Sequence, residues 1–105
     1  MDIIKFDETL DMWTAEEASK AEAAKSDGDE RGHSIALMKK SMYSTMLKTL
    51  GHNAPQAMQK CLNDLISRKQ KFIEKHDPDS ADRTDIQIEC ILRVQALITE
   101  LGGNA

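Results

Sequence analysis

The chain is poor in aromatic residues: Phe6, Trp13, Tyr43 and Phe72 are the only four among 105. A core must therefore be assembled mainly from Leu, Ile, Met and Ala. No run of about 18 apolar residues occurs, which excludes a membrane-spanning helix on sequence grounds. The two cysteines, Cys61 and Cys90, are too few for a disulfide framework and read as small buried hydrophobes in a reducing setting. The first eight residues carry Asp2, Asp7 and Glu8 and no basic leader with an apolar stretch, so a secretory signal is not expected. These features predict a cytoplasmic location.

Chemistry-bearing spacings are also missing. His33, His52, His76, Cys61 and Cys90 include no pair two to four residues apart, the spacing by which structural zinc sites are recognised. Residues 77–82 open like a calcium loop. However, Ala81 stands at the fifth position, Asp82 replaces the turn glycine, and Ile88 replaces the closing glutamate. Neither a glycine-rich phosphate loop nor a nucleophile elbow is present. The acidic pairs Glu16–Glu17 and Asp29–Glu30 lie in polar stretches with no apolar surroundings to split their pKa values. The expectation is a non-enzymatic protein with no cofactor and no metal.

What the chain does have is segregated charge. Residues 1–30 hold ten acids and three bases, residues 31–76 nine bases and two acids, and residues 77–105 six acids and two bases. The block charges are thus −7, +7 and −4, summing to the net −4. Such blocks imply either a basic middle that meets an anionic partner or acidic flanks that cover it.

Apolar spacing is helical throughout, and no segment alternates with period two. The fold class is therefore all-α: a small helical bundle of three main helices (about 34–50, 55–75 and 82–101) plus a weaker N-terminal helix (about 9–25). The whole chain forms one domain, with residues 1–33 an acidic segment that need not be fixed. Thr14 and Glu17 have the spacing of a capping box. Gly51 sits where a glycine ends a helix, and Asn53 and Pro55 mark the next start. Pro78 disfavours helix at Asp77, and Gly102-Gly103 closes the last helix.

Three sets of residues are candidates for function. Met38, Met42 and Met46 recur at four-residue spacing, and Ile88 and Leu92 fall outside the main apolar stripe of the last helix. Adaptable methionine and surplus apolar surface point to a protein interface, with a homodimer as the simplest partner. Asp7, Glu8, Asp11, Glu16 and Glu17 would steer a basic partner or cover the chain's own bases. Lys60, Arg68, Lys71 and Lys75 fall within about 80° on one helix face at about 100° per residue, with Lys40 and Lys48 on the neighbouring helix. That face is the alternative site, a footprint for nucleic acid. Lys69 and Lys39 interrupt apolar stripes, so each needs a carboxylate or a path to solvent.

Overall fold

The computed structural model describes residues 1–103 and contains helices alone. They are α1 (Ile3–Ser26), α2 (Glu30–Ser41), a π-helical segment (Met42–Met46), α3 (Leu47–Asn53), α4 (Pro55–Glu74) and α5 (Pro78–Glu100). The backbone stays helical from α2 through the π segment into α3, so the chain makes four rods.

α1 begins earlier than its weak apolar pattern suggests. Asp2 caps it, its side chain accepting from the Lys5 amide at 3.0 Å. Thr14 is therefore mid-helix and caps nothing: its hydroxyl donates back to the Leu10 carbonyl at 2.7 Å. The capping-box reading fails because a stronger start lies twelve residues upstream. Phe6 and Leu10 are fully buried and Trp13 nearly so, which makes the first half of α1 a member of the core.

Within the polar stretch 26–32 the turn is only three residues, 27–29. Gly28 takes φ +75, and Asp29 caps α2 by accepting from the Gly32 amide at 2.9 Å. Gly51 does not end the second rod as expected. It is buried inside α3, where a Cβ would be driven into the ring of Phe6. The rod ends at Ala54 instead, whose extended φ of −152 precedes Pro55. Asn53 does not cap α4; its amide donates to the Thr49 carbonyl behind it. The last helix starts at Pro78, with Asp77 as its cap and His76 in the left-handed region at φ 56. Gly102, at φ 83, closes it.

The core lies at one end. Phe6, Leu10, Trp13, Met42, Tyr43, Leu47, Met58 and Leu62 meet the α5 residues Ile88, Cys90, Ile91, Val94, Leu97 and Ile98. α5 is central, packing on α4 by one side and on the α2–α3 rod by the other. Ile88, expected to stand outside the stripe, is consequently buried at 8% exposure. Away from this end the helices run on as two hairpin arms. The buried side chains between residues 14 and 41 are Glu17, Ala21 and Ala36, and between 63 and 87 Ala81 and Thr84. Small residues let the two helices of each arm approach closely but give the arms little to bury against one another. The result is a flat molecule of 39 × 35 × 17 Å. Its radius of gyration, 14.6 Å, exceeds the roughly 13 Å typical of a compact domain of this length.

Candidate interaction site

The arms enclose a cleft of about 670 Å³ between α2 and the first half of α5. The two helices run parallel: Arg31 reaches Asp82 at the arm tips, and Tyr43 meets Arg93 near the core. Half-buried Ile35, Met38 and Ile86 line the cleft together with Ser34 and Gln87. Glu30, Arg31, Asp79 and Arg83 supply its charged edge. Arg31 and Asp82 are 3.4 Å apart with 67% and 59% of their side chains exposed. A pair so exposed contributes at most about 1 kcal/mol, a weak latch across the mouth.

At the core end an aromatic and polar cluster holds α1, the π segment and α5 together. The Arg93 guanidinium lies 3.7 Å from the centroid of the Trp13 ring. It also donates to the Tyr43 hydroxyl at 3.5 Å, a long contact. Trp13 and Tyr43 meet edge to face, with centroids 5.4 Å apart. The π segment makes this possible. Leu47 N–H donates to the carbonyl of Met42, five residues back, and the extra residue puts Met42 and Tyr43 side by side in the core.

Burial pushes the Tyr43 phenol up to about 12, against a smaller opposing effect of Arg93. Burial likewise raises the Cys90 thiol, with a hydrogen bond to Tyr43 working the other way. Both groups are held in their protonated forms, the reverse of what activates a nucleophile. Because the folded chain binds the Tyr43 proton more tightly than the unfolded chain, this group's stabilisation is complete below pH 10 and is lost as pH rises from 10 to about 12. Ultraviolet titration of phenolate absorbance is expected to show a midpoint near 12 rather than 10. A midpoint of 10 with the fold intact would mean that the hydroxyl is solvated.

The sequence-derived candidates are dispersed. Met38 lines the cleft, and Met46 and Leu92 are exposed at 41% and 49%. Met42 and Ile88 lie in the core, so neither presents a surface to a partner. Asp7 bonds the ring of His52, and Asp11 bonds Lys48 at 2.8 Å, which raises the Lys48 pKa. Glu8 and Glu16 remain exposed, whereas Glu17 is 4% exposed and meets Lys20 at 3.5 Å. Glu17 therefore cannot steer a distant partner. Lys69 finds its carboxylate in Asp85 of α5, at 2.9 Å. Lys39 is half-buried, close enough to Cys90 for its charge to favour the thiolate. Lys40, Lys60, Arg68, Lys71 and Lys75 are exposed.

Sequence reasoning missed Ile35, Ile86, Arg31 and Arg83 as a group, because only the parallel packing of α2 and α5 brings them together. Ile35 and Met38, three residues apart on one face, were the available signal. Among the described residues no helix is long and apolar enough to cross a membrane, and no three His, Cys, Asp or Glu side chains form a metal-holding group. No family model matches this chain, and no curated protein or solved structure matches it. The class supported is thus architectural: an all-α protein of two helical hairpins sharing a core at one end.

Proposed function

We propose that this protein is a non-enzymatic interaction module that associates with a second copy of itself. The cleft between its arms is the observation that carries this reading. A groove with an apolar lining and a charged edge is the surface on which a partner helix gains most by burial. The chain itself offers such a helix. Ile4 and Met12 are 74% and 53% exposed on α1. They alternate with Glu8 and Glu16 at four-residue spacing along one face. The apolar pair matches Ile35, Met38 and Ile86, while the acids would face Arg83 on an edge that also carries Glu30, Asp79 and the Asp82-bound Arg31. Met46 and Leu92 add exposed apolar surface near the core end.

Replacing Met38 with glutamate places a charge among the apolar residues of the cleft without emptying the core. Light scattering after gel filtration is expected to show a dimer for the native chain and a monomer for Met38→Glu, with unchanged helical circular dichroism. Equal loss of helicity and association would assign Met38 to folding alone. A native chain that stays monomeric at high micromolar concentration would reject self-association.

A further inference from the structure

The outer face of α4 carries a second site, independent of the cleft. Lys60, Arg68, Lys71 and Lys75 are all exposed there, and among the described residues none of the four makes an ion pair. Some other bases find partners, Lys48 with Asp11, His52 with Asp7, Lys69 with Asp85 and Arg31 with Asp82. Among the described residues Lys5, Lys25, Lys39, Lys40, Arg83 and Arg93 are unpaired like the stripe; what sets the stripe apart is its four cations on one helix face. Asp7 and Asp11 are thus engaged with α3, and Glu17 with Lys20. They do not form ion pairs with the basic helix.

We infer that this face binds the phosphate backbone of a double-stranded nucleic acid without reading its sequence. Four cations lie within about 80° over residues 60–75, a stripe about 22 Å long at 1.5 Å per residue. That length spans about six phosphates of one strand at 3.4 Å each. Asn63 and Ser67, exposed beside the stripe, add neutral donors of the kind that contact phosphates. Asp64 is the one acid within it, and exposed Glu74 lies beside it on the flank of Asn63 and Ser67. The net negative charge of the chain does not cancel this local field, because exposed charges more than about 8 Å away are largely screened at physiological salt.

The face's composition selects the occupant. Protein interfaces need a buried apolar or aromatic anchor, and this stripe has none. The exposed Ile66 and Ile73 sit about 160° and 140° round the helix from Arg68. Single-strand binders rely on aromatic platforms; α4's one aromatic, Phe72, is half-buried about 40° beyond Arg68, outside the stripe. What remains is a polar, cationic footprint of the type that meets duplex backbones.

The test is fluorescence anisotropy of labelled duplex DNA and duplex RNA titrated with the full chain across salt. Four phosphate contacts predict a slope of about −3.6 in log affinity against log salt, roughly a 150-fold loss between 50 and 200 mM. The double reversal Lys71→Glu with Lys75→Glu is expected to halve that slope or abolish binding. Lys5→Glu with Lys25→Glu on α1, an equal change in net charge, is expected to leave binding near the native level. Met38→Glu should also retain it, since the cleft is formed by α2 and α5. No binding of either duplex at the lowest salt would overturn the inference and leave the face for an acidic protein. Equal loss in both charge-reversal pairs would overturn it too, since binding would then follow net charge rather than α4.

Discussion

Replacing Phe6 with alanine is expected to remove about 3–5 kcal/mol of stability, the usual cost of deleting a fully buried phenylalanine. The ring has 0% exposure, packs in the main core, and meets His52 with centroids 5.6 Å apart. Domains are stable by only about 5–15 kcal/mol in total, so this single change uses up a large share of the margin. At about 4–8 °C per kcal/mol, the melting temperature should fall by about 12–40 °C. Glu22→Ala, an exposed position on the same helix, should shift stability by less than about 0.5 kcal/mol. Chemical denaturation of both variants checks the contrast. Similar small losses would mean that α1 lies against the bundle without belonging to its core.

The second large effect is at Gly51, where the same ring sets the constraint. A Cβ at this position would be pushed into Phe6, and Phe6 has no solvent side toward which to retreat. Gly51→Val is expected to cost about 2–3 kcal/mol through overpacking, although a helix interior normally gains from losing glycine. The cost should be coupled to Phe6. In a Phe6→Leu background the same substitution should lose substantially less than in the native chain, giving an interaction energy of about 1 kcal/mol or more in a double-mutant cycle. Strict additivity would show that Gly51 is required for backbone conformation rather than for space.

Gly51 also illustrates what the sequence could and could not reveal. Read locally, a glycine after Thr49-Leu50 is a helix terminator. Its role is instead to admit a ring from 45 positions earlier in the chain, and nothing within one turn of it carries that information. The start of α1 was missed for a related reason. Thr14 and Glu17 satisfy a local pattern, but Asp2 and the burial of Phe6 and Leu10 had already committed the chain to helix.

α4 was legible nearly to the residue, because Pro55 and the turn at 76–78 are strong local signals and its apolar stripe is narrow. α5 was legible as a helix but not as the central one. Ile88 and Leu92 looked alike beside the main stripe; packing in the shared core buries the first and leaves the second 49% exposed. The candidate surfaces divide in the same way. The basic face of α4 depends on one helix's periodicity and could be read directly. The cleft depends on two helices brought parallel by a shared core, and on a π segment that no local spacing announces.

The chain's methionines allow the central proposal to be measured without altering a residue. Methyl-labelled methionine places reporters on α1's outer face at Met12, in the cleft at Met38, and in the core at Met42 and Met58. Two-dimensional methyl spectra recorded on dilution from high to low micromolar concentration are expected to show Met12 and Met38 shifting together along one binding curve. Met42 and Met58 should hold still. Spectra that do not change with concentration, or a change that spares both Met12 and Met38, would contradict self-association through the cleft.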